Sequence, residues 1–117
     1  MTGFIVEKDH FHGLSGALED IRERKLFPTT YATDQATAAN LHWHEDEVLA
    51  YLVKGKTYFE DAQGTQHQLE AGDLITIPAR TLHAEGDINE PVIMLIGLVD
   101  AVPMDQFLAQ HDPGELQ

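Results

Sequence analysis

From Leu26 onward the chain is a succession of short β-type runs cut apart by polar turns, and this spacing restricts the fold more than any other feature. The runs are Leu26–Thr33, Thr37–His44, Val48–Val53, Lys56–Glu60, Gln66–Leu69, Leu74–Ile77, Leu82–Glu85 and Pro91–Val99. Between them stand turn formers such as Lys54-Gly55, Asp61-Ala62-Gln63-Gly64, Ala71-Gly72-Asp73 and Gly86-Asp87-Ile88-Asn89. A chain of 117 residues holds one hydrophobic core. So many strands in one small domain must close into a barrel or stack as two sheets, because free edges would pair with other chains. The expectation is an all-β single domain over 1–117, with an N-terminal strand and helix in 1–25, the β body in 26–100, and a short helix and tail in 101–117.

The flanks read differently. Phe4 to Lys8 fits a first strand. His12 to Lys25 fits a helix, with Leu14, Leu18 and Ile21 recurring on one face, Ser15 as a candidate cap and Pro28 just beyond. Pro103 to His111 fits a second short helix anchored by Phe107 and Leu108, and Asp112 to Gln117 is expected to fray.

Charge narrows the partners. Lys and Arg total 7 and Asp and Glu total 20, for a formal net charge of −13. Such a surface repels nucleic-acid phosphates and anionic membranes, so neither is expected as a partner. At 43% hydrophobic the chain can still fill a core, which separates it from a disordered acidic tail. There are no cysteines, so disulfides, thiolate metal sites and a cysteine nucleophile are excluded. The longest apolar run, Val92 to Val99, is too short to span a bilayer, and Met1-Thr2-Gly3-Phe4 does not open like a signal peptide. A cytoplasmic protein is the expectation.

Seven histidines stand out beside so few lysines and arginines. His42 and His44 lie two apart in one run and would present their imidazoles to the same side, where they can share one metal. Trp43 between them faces the other way, into a core or a subunit contact. A second block, Gly72 to His83, reads as a turn, a strand ended by Pro78, and a histidine opening the next strand. Glu85 is the period-two partner of His83 and is a candidate general base or orienter for an imidazole; its other reading is a solvated rim carboxylate. His10 and His12 read as surface residues, His67 as exposed in a hairpin, and His111 as part of the tail.

These two blocks resemble the two motifs of the cupin superfamily: His42-Trp43-His44 with Gly55 closing the first, and Gly72, Pro78 and His83 in the second. Within it, His-Trp-His-Glu-Asp-Glu followed by Tyr51-Leu52-Val53-Lys54-Gly55 is most similar to acireductone dioxygenase and its short relatives. The resemblance implies a jelly-roll β-barrel and a divalent transition metal (iron, manganese, nickel or zinc) held by His42, His44 and His83. The motif's glutamate position holds Val48, with Glu47 one residue earlier; Glu47 ligates only if a bulge re-aims it. Arg80 stands where the second motif has glycine, either on the turn surface or over the barrel mouth holding an anionic substrate.

The implied function is a metal-dependent oxygenase acting on a small anionic or enolisable substrate. Two alternatives stay open: a non-catalytic cupin that binds a small ligand or sugar, and a non-oxidative isomerase or lyase. Val48, Ala50 and Leu52 would floor the pocket, and a homodimer is expected.

Overall fold

The computed structural model describes residues 3–100 and 109–116. Its strands are β1 (Ile5–Glu7), β2 (Phe27–Thr33), β3 (Val48–Lys54), β4 (Lys56–Asp61), β5 (Gln66–Glu70), β6 (Leu74–Ile77), β7 (His83–Glu85) and β8 (Val92–Leu98), with one helix, α1 (Gly13–Arg24), between β1 and β2. A five-stranded sheet runs β1-β6-β3-β8-β2 and a three-stranded sheet runs β5-β4-β7. All named pairings are antiparallel. Two antiparallel sheets facing each other are the stacked arrangement that the strand spacing called for, and they form the jelly roll that the resemblance implies.

The period-two pattern of β3 explains how the layers stack. Val48, Ala50 and Leu52 face inward and join Phe59, Leu69, Ile75, Met94 and Ile96 in the core between the sheets. Leu49 and Tyr51 point the opposite way and pack with Ala17 and Ile21 of α1, and with Phe11, Leu74 and Leu95. The strand is therefore apolar on both faces, and each large buried side chain contributes about 1.5–3 kcal/mol.

Two expectations need correction. Ile21 is buried, but Leu14 and Leu18 are about half exposed; the helix seats itself through Ala17, whose small side chain allows close approach to the sheet. His12, not Ser15, is the capping residue, and it makes no side-chain cap. The run Thr37–His44 is not a strand. It makes only isolated bridges, His42 to His83 and Trp43 to His111, and Ala36 just before it bridges to Ile88. Its first half, Thr37-Ala38-Ala39-Asn40, lacks large side chains to hold a ladder, and the Asp87 carboxylate takes the Ala38 N–H at 2.9 Å.

The helix expected over Pro103–His111 falls mostly outside the described residues; its described end, 109–111, is not helical. The tail is better organised than expected. Asp112 and Glu115 form a reciprocal capping box on a 3-10 turn, Pro113–Glu115. The β3–β4 turn depends on Gly55, whose φ is +94° and where a Cβ would fall 2.4 Å from the Pro91 carbonyl oxygen.

Candidate functional site

His42 and His44 stand in the extended segment before β3, and His83 opens β7. The bridge between His42 and His83 brings the two blocks together through paired backbone hydrogen bonds of 2.9 Å. Ring centroids lie 5.0 Å apart for His42 and His44, 4.6 Å for His42 and His83, and 5.0 Å for His44 and His83. All three rings are buried. Phe59 of β4 lies parallel to the His83 ring, 6.3 Å away, and walls it off.

Each ring is aimed by a main-chain carbonyl. Nδ1–H of His42 donates to Asn40 (2.6 Å), that of His83 to Thr81 (2.9 Å) and that of His44 to Ala109 (2.9 Å). A carbonyl only accepts, so the proton sits on Nδ1 and each neutral ring turns an Nε2 lone pair inward. Glu85 completes the group: one atom from each of His42, His44, His83 and Glu85 lies within 4.8 Å of all the others. The Glu85 carboxylate comes within 3.1 Å of His42 Nε2 and 3.0 Å of His83 Nε2, yet neither nitrogen finds a hydrogen-bond partner. In that tautomer a neutral ring sets its Nε2 lone pair against the carboxylate. Buried acceptors in that arrangement are satisfied by a cation, so the residues fit a divalent metal.

Burial works against a charged His42 ring, but the attraction of the adjacent Glu85 carboxylate outweighs it and raises the His42 pKa. Burial lowers that of His44, and the Ala109 carbonyl offsets only part of this. Burial also opposes the Glu85 carboxylate, but His42 and His83 overcome it and hold the group far below the usual carboxylate range.

Glu47 does not join the cluster. It sits half-buried in the loop before β3, and the pairing of β3 runs unbroken from Val48 to Leu52, so no bulge re-aims it. Arg80 does not lean over a pocket: its backbone is left-handed (φ 61°), its N–H holds the His44 carbonyl at 2.8 Å, and its guanidinium lies 5.1 Å above the Trp43 ring. Trp43 is buried, stacks on His111 at 4.5 Å and donates Nε1–H to the Asp112 carbonyl at 2.9 Å. His111 is thus a clasp for the Trp43 segment, not a loose tail residue. His67 is half-buried, bonded to Asp61 at 2.9 Å and edge-on to Phe4.

Beside the imidazoles lies a cavity of about 230 Å3, walled by Val48, Ala50, Phe59, Ile77, Met94 and Ile96, with Glu85 and His44 at one end. Leu52, expected in its floor, is buried deeper in the core. Sequence reasoning missed Gln110, which borders the cavity, and the Ala109 carbonyl; a main-chain acceptor leaves no mark on residue type.

The fold has known counterparts. One is a DUF861-family protein from Thermotoga maritima, 19% identical, with a TM-score of 0.57 over 81% of this chain and 98% of that one. Another is the DMSP lyase DddQ from Ruegeria pomeroyi, 17% identical, with a TM-score of 0.56 over 66% of this chain and 39% of that one. A third is an oxalate decarboxylase variant from Bacillus subtilis, 20% identical, with a TM-score of 0.57 over 75% of this chain and 26% of that one. This chain spans well under half of the latter two. At these identities the likeness is one of fold. A family model described as a cupin domain matches residues 30–96, which is more than half of the chain and contains the whole cluster. The two facing sheets, the buried imidazoles and that match together make this chain a member of the cupin domain family.

Proposed function

We propose that the chain is a metal-dependent oxygenase acting on a small anionic or enolisable substrate, with His42, His44 and His83 as ligands to a divalent ion. The observation that carries this is the set of three inward Nε2 atoms, each fixed by a backbone acceptor on Nδ1. Glu85 enters as a fourth ligand or as the base beside the substrate, a role that Glu47 and Arg80 do not take up. When bound, the ion supplies Lewis acidity and, if it is iron, a centre for dioxygen chemistry. The protein's own part is to hold three neutral rings at one point, to keep Glu85 ionised against them, and to exclude water with Phe59 and the apolar walls. The resemblance to acireductone dioxygenases supplies the oxygenase part of the proposal, and Glu85 provides the carboxylate that Val48 does not.

The position of Glu85 also favours a second reading, a non-oxidative isomerase or lyase in which that carboxylate moves a substrate proton. Turnover without oxygen separates the two. The proposal further takes 1–117 as one domain that pairs into a homodimer. Edge strand β2 supports this, since both its faces are largely exposed and one of them carries Phe27 and Tyr31.

Metal analysis of the purified protein by mass spectrometry, beside His83→Ala, tests the core of the reading. About one equivalent of iron, manganese, nickel or zinc, lost in the variant, is the expected result, followed by oxygen uptake on enolisable acids or diketones. A chain with no metal and no uptake of added metal sinks it.

A further inference from the structure

The cavity is charged at one end only. Among the described residues its walls are mostly apolar, with Tyr31, Thr37, Thr57 and Gln110 as uncharged polar groups, and Glu85 is the carboxylate that borders it. No lysine or arginine faces that carboxylate. The chain has seven Lys and Arg side chains, and all seven lie among the described residues. Lys8 pairs with Asp73, Arg22 with Glu19, and Arg24 with Asp20. Arg80 lies over Trp43, and Lys25, Lys54 and Lys56 are exposed. None of the seven lines the cavity. The cavity is also small, below the ~300 Å3 at which most ligand pockets begin.

We infer that the site selects a monoanion: one chelating, negatively charged head at the imidazoles and an uncharged, largely apolar body in the cavity. This rests on the metal reading above and names the substrate class within it. A distal carboxylate or phosphate would leave water for walls that offer no counter-charge. Dicarboxylates and phosphorylated compounds are thereby disfavoured by the chain's own residues, whatever the ion.

A matched pair of acids tests this. 2-Oxopentanoate and 2-oxoglutarate share length and chelating head, and differ in a terminal methyl against a terminal carboxylate. Each is titrated calorimetrically into protein loaded with Co2+, after Co2+ uptake itself has been measured. The methyl compound is expected to bind at least about tenfold tighter. Thr37 is exposed at the cavity mouth, so Thr37→Lys adds a cation without disturbing the core. It is expected to narrow the gap by tightening 2-oxoglutarate, with Co2+ uptake unchanged. Equal or reversed affinities, or binding of neither acid, on a chain that takes up Co2+ overturn the inference and leave the metal reading standing. A gap that Thr37→Lys does not change places its origin outside the cavity and overturns it too. Failure to take up Co2+ overturns the metal reading, and the inference falls with it.

Discussion

Glu85 is the residue on which most of the site's chemistry converges. It faces two Nε2 atoms at 3.0–3.1 Å while remaining about one-third open to the cavity. A carboxylate so placed can bind an ion, orient the rings or take a proton, and in each role its negative charge matters more than its shape. Glu85→Gln keeps the shape and removes the charge. Metal affinity is expected to fall by about ten- to a hundredfold, read by competition with a chromophoric chelator. Unchanged affinity would place Glu85 outside the ion's environment and leave it to the substrate. Arg80 shows the opposite case. Its charge is spent on the outer face, over Trp43, and its N–H on the His44 carbonyl, so its contribution to the site runs through the backbone.

Among the elements, the turn between β5 and β6 ties the N-terminal segment to the sheet. Gly72 offers its carbonyl to the N–H groups of His10 (2.7 Å) and Phe11 (3.2 Å). Asp73, buried, accepts from the N–H groups of Asp9 and Glu70 at 2.9 Å each, and from Lys8. Burial pushes the Asp73 pKa up, but Lys8 and the two N–H groups prevail and bring it below 3.8. A depressed carboxyl stabilises the fold above its unfolded pKa and loses that contribution as pH falls through the folded one. Asp73→Asn is therefore expected to cost about 1–3 kcal/mol at neutral pH, and the difference from wild type should shrink as the pH drops below 3.8. Urea unfolding across the acid range checks both; a constant difference would contradict the charge argument. Elements of this kind were largely legible in the sequence. The apolar runs Val48–Lys54 and Val92–Leu98 and the turn residues between runs placed all eight described strands close to where they lie. The segment 37–44 escaped because it borrows partners from two different places, and strand periodicity says nothing of partners. The stripe on α1 was misread because leucines outweigh alanine in a hydrophobic count, whereas close packing favours Ala17. His42 and His44 could be paired from spacing, and His83 was added by the second block and its resemblance to the family motif. The choice of Glu85 over Glu47 turned on one residue of register, which only the start of β3 at Val48 decides.

At the scale of the whole molecule, the proposed site joins distant parts of the chain: residues 42–44, 83–85 and the carbonyl of Ala109. An unfolded chain presents no such set, so an ion that binds the native state alone stabilises it by mass action. At free metal one hundred times its Kd the gain is expected to be about 2.7 kcal/mol, seen as a rise in Tm that a chelator reverses and that His83→Ala abolishes. A Tm indifferent to metal would mean that no such ion binds. The formal charge of −13 helps bring cations to the surface, so uptake should be faster at low ionic strength.

The aiming of the three rings has a consequence for heredity. Their Nδ1 partners are the carbonyls of Asn40, Thr81 and Ala109, groups that every amino acid carries. No codon change at those three positions deletes the acceptor. A saturating mutational survey would therefore find three intolerant histidines whose orienting neighbours look dispensable. The tautomer on which the site depends would be inherited through the path of the main chain, where substitution patterns do not record it.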